Sequence, residues 1–391
     1  MQKIGVGTVT ITEQAKKNVM QVLETGRLSY GPFLQRLEKD FSTIHDCRFG
    51  IMSNSGTSAL HVALQALKEI HGWQDGDEVL VPAVTFVATS NIVIHNKMTP
   101  IFVDVEKEYY GIDPKKIEEK ITSKTRAIIP VHLFGMPCEM DTIQEIAKKH
   151  NLKIIEDTCE TMYAKYKEKK VGSLSDIGCF STYVAHLLIT GVGGINTTNN
   201  PEYATKLRSL INHGRDSIYI SIDDAEGKKG QELKEIIEAR FRFVSVGHSF
   251  RVTEMEGALG VAQLEILPEI IDKRRKNAAY LLEKLKRFEE HIQLPKIRPH
   301  AEHSFMMFPI VMKHESKKGI VEFLENNGIE TREMLPLINQ PVYEELFNIN
   351  ENEYPVAKWI NESGFYIGCH QDVTEDNLNY VVEIFSKYFK K

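Results

Sequence analysis

A chain of 391 residues is too long for one ordinary hydrophobic core and calls for two or three domains. Hydrophobic residues make up 42% and charged residues 26%, a globular composition that excludes a disordered, collagen-like or disulfide-scaffold chain. Lys+Arg of 48 against Asp+Glu of 54 leaves a net charge of -6 with both signs mixed. No basic stripe offers a footprint for nucleic acid, although a local site for one phosphorylated ligand stays open.

No apolar run approaches the roughly 18 residues that cross a bilayer, so no membrane partner is expected. The N-terminal MQKIGVGTVTITEQAKK has no apolar signal region. Its Gly5-Val6-Gly7 lacks the strand, turn and helix of a dinucleotide fingerprint. Five scattered cysteines, Cys47, Cys138, Cys159, Cys179 and Cys369, form no C-x-x-C pair. No metal centre or iron–sulfur cluster is therefore expected, and free thiols in a reducing cytoplasm are.

In chain order, Thr12 caps a first helix whose apolar stripe is Ala15, Val19, Val22 and Leu23, and Gly26 ends it. A second helix starts after Ser53-Asn54-Ser55-Gly56-Thr57, with Leu60, Ala63, Leu64 and Leu67 inward. Short apolar runs at 49–52, 78–84, 100–105, 127–131, 152–155, 177–180 and 194–197 read as strands. Helical patterns and turns between them point to an α/β fold with a mostly parallel sheet flanked by helices. The polar segment 223–234 reads as a surface excursion. From about Leu264 a long charged helix, a strand at 305–311 and further helices indicate a smaller C-terminal α+β domain. The expected division is a large domain of residues 1–263 and a small domain of residues 264–391.

In open α/β sheets, ligands bind beyond the carboxyl ends of the strands. Three features meet there. Ser55-Gly56-Thr57 opens a helix and offers backbone N–H groups to a phosphate. Glu156-Asp157 places a carboxylate at a strand end, and the segment from Phe180 to His186 precedes the glycine-rich turn 190–194.

The order and spacing of longer segments are informative. They include TGRLSYGPFLQRLEKDF (25–41), SNSGTSALHVAL (53–64), VPAVTFVATSN (81–91), PVHLFGMPCEMD (130–141), IIEDTCETMYAKY (154–166), VGSLSDIGCFS (171–181), GHSFRVTEMEGALGVAQLE (247–265) and GIETREMLPL (328–337). On these the chain resembles the DegT/DnrJ/EryC1/StrS family of pyridoxal-phosphate-dependent nucleotide-sugar aminotransferases, from about Val19 to Val382. The resemblance implies the type I (aspartate aminotransferase) fold, and a homodimer with active sites at the subunit interface. It also implies phosphate contacts at Gly56, Thr57 and Ser181, and ring stacking at Phe86. Asp157 would pair with the pyridine nitrogen, and Ser249 stands in the segment that reaches the partner's phosphate, where Asn is frequent.

His186 stands where the aminotransferases of this family place the lysine that bonds the cofactor covalently. The lysines nearest in sequence are Lys170, in a polar hairpin-like stretch, and Lys206. An imidazole forms no stable imine but moves protons near neutral pH. This Lys-to-His replacement resembles the family's nucleotide-sugar 3-dehydratases, with the GDP-4-keto-6-deoxymannose 3-dehydratases nearest in pattern. Glu160, His213 and the C-terminal SGFYIGCHQDVTEDNLNYV (363–381) agree with that branch, and no cysteine cluster matches the iron–sulfur relatives. Leu187-Leu188-Ile189 and Val192 depart from it.

The resemblance thus implies an enzyme that uses pyridoxamine 5'-phosphate to remove the C3 hydroxyl of a nucleotide-linked 4-keto-6-deoxysugar. His186, His213 and Glu160 are its catalytic residues, and L-glutamate restores pyridoxamine phosphate from pyridoxal phosphate. Two alternatives stand beside it: a sugar aminotransferase with His186 as proton shuttle, and a silent cofactor-binding subunit.

Overall fold

A computed structural model of the chain describes residues 3–216 and 227–390. The first strands are β1 (Phe49–Ser53), β2 (Glu78–Pro82), β3 (Thr99–Val103), β4 (Thr125–Ile128) and β5 (Lys153–Asp157). A small hairpin follows, β6 (Lys165–Tyr166) with β7 (Lys169–Lys170), and then β8 (Ile177–Ser181) and β9 (Gly194–Thr198). The seven expected runs form one sheet in the order β1-β9-β8-β5-β4-β2-β3. Only β9 runs against its neighbours; the pairs β2–β3, β2–β4, β4–β5 and β5–β8 are parallel. Parallel strands covered on both faces must be apolar nearly throughout, and the burial of Ile154, Ile155, Ile177 and Phe180 shows it.

The helix Gly56–His71 buries Leu60, Ala63, Leu64 and Leu67 against this sheet, and Ser55 Oγ caps it by accepting the Ser58 N–H at 3.0 Å. The first helix, Glu13–Thr25, also has its expected ends: Thr12 accepts from the Ala15 N–H, and Gly26 takes the left-handed conformation at φ 68°. Its buried face needs correction. Ala15, Asn18 and Val22 are buried, whereas Leu23 is 52% exposed. Spacing of three and four residues selects that face, and Leu23 lies about 100° round the helix from Val22.

A second, antiparallel sheet is formed by β10 (Ile292–Gln293), β11 (Phe308–Met312), β12 (Thr331–Glu333) and β13 (Gly364–Ile367), in the order β10-β11-β13-β12. With the helices Lys318–Asn326 and Glu375–Phe389 it makes the smaller C-terminal α+β part. The helix Glu254–Leu285 links the two parts. Val261, Leu264 and Leu267 pack into the large core, and Ala278, Leu281 and Leu285 into the small one. The proposed division at 263/264 lies within this helix. Of the polar segment 223–234, residues 223–226 lie outside the described residues; the rest is exposed apart from the half-buried Leu233.

Candidate active site

The carboxyl ends of β2, β4, β5 and β8 open into a cavity of about 420 Å³, within the size range of cofactor and small-molecule sites. Gly56, Thr57, Phe86, Asp157, Glu160, Ser181 and His186 all line it. The small C-terminal part closes the other side with Met306, Met307, Leu335 and Tyr366. A wider cleft of about 850 Å³ adjoins it, sharing Thr85, Phe86 and Leu335 and lined further by polar residues such as Lys313, Glu333, Asn339 and Asn361.

Gly56 and Thr57 start a helix whose first-turn N–H groups have no intrahelical acceptors. A Cβ on Gly56 would come within 2.7 Å of Ser181 Cβ and 2.9 Å of Cys159 Sγ, so glycine permits this close approach to the Ser181 end of β8. Backbone donors, the Thr57 and Ser181 hydroxyls and a helix N-terminus together fit a phosphate.

Strand alternation separates the two carboxylates at the end of β5. Glu156 turns away from the cavity. It accepts from the Leu174 N–H and Ser175 hydroxyl on one oxygen, and from the Gly172 N–H and His132 Nε2 on the other. The Cys138 N–H donates to His132 Nδ1 at 3.0 Å, which leaves the His132 proton on Nε2. Asp157 faces the cavity. Its Oδ2 accepts from Thr89 Oγ1 at 2.8 Å, and its Oδ1 from the Cys159 N–H at 3.2 Å. Because Thr89 gives its one proton to Asp157, Thr85 donates to Thr89 across 2.8 Å. Burial pushes the Asp157 carboxyl above the usual carboxylate range. A cationic ring nitrogen beside it would relieve that cost.

Glu160 Oε2 accepts the Phe134 N–H at 2.9 Å. Phe134 holds that N–H in a left-handed conformation at φ 58°. Burial chiefly raises the Glu160 carboxyl to about 7, with the Asp157 charge adding to it. Its folded value thus lies above its unfolded one, so the native state binds more protons between about pH 4.5 and 7 and loses stability as pH rises through that window. Glu160→Gln removes this dependence. We expect the wild type to lose about 2–3 kcal/mol relative to the variant across those pH values, in urea unfolding at each pH. Parallel pH dependences would show that Glu160 titrates normally.

His186 Nδ1 lies 3.3 Å from the Ser181 carbonyl. A carbonyl can only accept, so Nδ1 carries the proton and Nε2 keeps its lone pair. Burial lowers this imidazole to about 4, which leaves it neutral at pH 7 with Nε2 unprotonated. Among the described residues no lysine lines the cavity. Lys170 Nζ sits 4.1 Å over the Tyr163 ring, and Lys206 is bound by Glu69 and Ser245.

His213 and Ser249 stand outside this cavity, on the exposed surface. Arg251 Nη2 reaches both, at 3.2 Å from His213 Nε2 and 3.4 Å from Ser249 Oγ. Ser249 lines a separate pocket of about 330 Å³ with Tyr30, Arg208 and Arg251. Sequence reasoning did not single out Thr89, Cys159, Met306, Met307 or Tyr366. The spacing of Thr85 and Thr89, one helical turn apart beside Phe86, is a usable signal for the first. The other four carry none.

A family model described as the DegT/DnrJ/EryC1/StrS aminotransferase family matches residues 9–386. The chain belongs to this family. Among its relatives, this DegT/DnrJ/EryC1/StrS protein is 31% identical to the GDP-perosamine synthase of Caulobacter vibrioides over 98% of its own length and 97% of that protein. It is 30% identical to the GDP-4-keto-6-deoxy-D-mannose 3-dehydratase of Escherichia coli O55:H7, over 94% and 95%. The solved structure of the E. coli GDP-4-keto-6-deoxy-D-mannose-3-dehydratase with bound hydrated PLP superposes with a TM-score of 0.88 at 27% identity, covering 98% of this chain and 99% of that one. The fold is therefore that of the PLP-dependent aminotransferase-like enzymes. Among the described residues no helix is long and apolar enough to cross a membrane.

Proposed function

We propose that this protein is a pyridoxal-phosphate-dependent enzyme of nucleotide-sugar metabolism, and that its reaction is removal of the C3 hydroxyl from a nucleotide-linked 4-keto-6-deoxysugar. The observation that carries the reading is His186, with a free Nε2, in a cavity that no lysine lines among the described residues.

The residues present fit the cofactor. Gly56, Thr57 and Ser181 would hold its phosphate, Phe86 would stack on its ring, and Asp157 would keep its ring nitrogen protonated. Bound as the amine, the cofactor supplies an amino group for the C4 ketone and a ring that accepts electrons. His186 Nε2 takes up a proton and, as imidazolium, delivers it to the oxygen leaving C3. Glu160, poised between neutral and charged forms, holds a hydrogen bond beside the reacting atoms. The inner cavity would hold the reacting sugar, and the polar cleft next to it the nucleotide. L-Glutamate is the proposed amino donor. A homodimer would bring His213, Ser249 and Arg251 to the partner's cavity. The free thiols Cys47, Cys138, Cys159, Cys179 and Cys369 suit a cytoplasmic enzyme.

The relationship to GDP-perosamine synthase supports a second reading, a sugar aminotransferase. The fate of nitrogen separates the two. The purified protein is to be given pyridoxal phosphate, L-glutamate and GDP-, CDP-, dTDP- and UDP-linked 4-keto-6-deoxyhexoses in turn. With one of them, mass spectrometry should find the 3,6-dideoxy-4-ketosugar, formed without a reductase or added metal. Ammonia and 2-oxoglutarate should appear in equal amounts, because glutamate gives up the electron pair that removes the C3 oxygen as water. A sugar that gains nitrogen and keeps its C3 oxygen would establish the aminotransferase instead. No conversion of the cofactor by glutamate would point to the silent subunit.

A further inference from the structure

The small C-terminal part sends one phenol into the cavity. On β13, Phe365 and Ile367 point into the small core, and the alternation of the strand turns Tyr366 the other way, into the wall shared with the large part. β13 is an inner strand, so the Tyr366 backbone is fixed on both sides, opposite Pro309 of β11 and Arg332 of β12. Its ring rests against Phe134 with centroids 5.8 Å apart. Phe134 is also the residue whose N–H binds Glu160.

Tyr366 is only 8% exposed, it lines the cavity, and its hydroxyl makes no hydrogen bond with any described residue. Burial, and then the nearby Glu160 carboxylate, push its ionisation far above neutral pH, so it remains a proton donor. With no described residue as its acceptor, the phenol on the cavity wall is left to donate to a ligand there. The cofactor's phosphate and ring nitrogen would be served by Gly56, Thr57, Ser181 and Asp157, all from the large part. A hexose in the same cavity brings several hydroxyl acceptors.

We propose that Tyr366 is a substrate-contacting residue whose phenol donates a hydrogen bond to the hexose of the nucleotide sugar. The inference rests on the nucleotide-sugar reading of the site. It makes the small part a reader of the sugar, and the large part the holder of the cofactor.

Tyr366→Phe removes the hydroxyl and keeps the ring on Phe134, so folding is not at stake. Calorimetric titration of the cofactor-loaded protein is to use the nucleotide 4-keto-6-deoxyhexose that the wild type binds, and then the same nucleoside diphosphate without the hexose. The variant should bind the nucleotide sugar about three- to tenfold more weakly, the size expected for one neutral hydrogen bond. Affinity for the bare diphosphate should stay within twofold. Equal affinity of variant and wild type for the nucleotide sugar would overturn the contact, as would an equal loss for both ligands. A wild type that binds none of the four nucleotide sugars would instead refute the substrate reading, and the Tyr366 contact with it.

Discussion

His186→Asn should retain the cofactor and lose at least two orders of magnitude of C3 deoxygenation, the scale expected when a positioned acid–base group is removed. An asparagine amide can still donate to the Ser181 carbonyl that His186 Nδ1 now binds. It has no basic lone pair to replace Nε2, so the defect is in proton transfer rather than in binding. Cofactor absorbance during titration separates the two, and single-turnover assays with the nucleotide sugar measure the loss. Activity within a few-fold of wild type would move the role elsewhere, with His213 the next candidate. With no lysine lining the cavity among the described residues, the wild type is expected to need no covalent anchor for the cofactor. After borohydride treatment of the loaded protein, peptide mapping should find every lysine unmodified.

Asp157→Asn should separate stability from activity. Burial holds this carboxyl above its ordinary range, so its charge is a cost that a cationic ring nitrogen would offset. The Asn variant without cofactor should therefore melt no lower than wild type. An amide oxygen can still accept from Thr89 or from the Cys159 N–H, although it cannot serve both as Oδ2 and Oδ1 do now. Adding pyridoxal phosphate should raise the melting temperature of wild type more than that of the variant, because ligand stabilisation follows affinity. The rate should fall by about 10²–10³, the loss expected when one preorganised charge opposite the developing charge is removed. Thermal unfolding with and without cofactor, next to the assay, tests both halves. A variant that melts well below wild type when empty would show that the carboxylate supports the fold by itself.

The features around the cavity that are legible in the sequence are those set by neighbours a few residues away. Ser55 caps a helix because it precedes Gly56 and Thr57, and the seven strands are apolar runs that need no distant partner to be recognised. Spacing within β5 and β8 also brought Asp157, Ser181 and His186 to one end of the sheet. The resemblance to a known family then supplied roles that no local pattern contains. The burial of the first helix was read less well, because Asn18 is drawn inward by a hydrogen bond to the Ala258 carbonyl while the more apolar Leu23 stays out.

Tertiary structure alone decided the rest. The choice between Glu156 and Asp157 depends on which face of β5 meets the cavity, and His132 and the 172–175 turn claim the other face. The basic nitrogen of His186 is set by a carbonyl that folds back within hydrogen-bonding reach. Glu160 is raised because burial removes water from around it, an effect that the Phe134 N–H only partly offsets. Met306, Met307 and Tyr366 reach the cavity at the carboxyl end of the sheet only because the small C-terminal part packs there. Periodicity and capping act through covalent neighbours and so leave a mark in the chain; desolvation and contacts across the domain interface depend on positions that only the packed fold brings together.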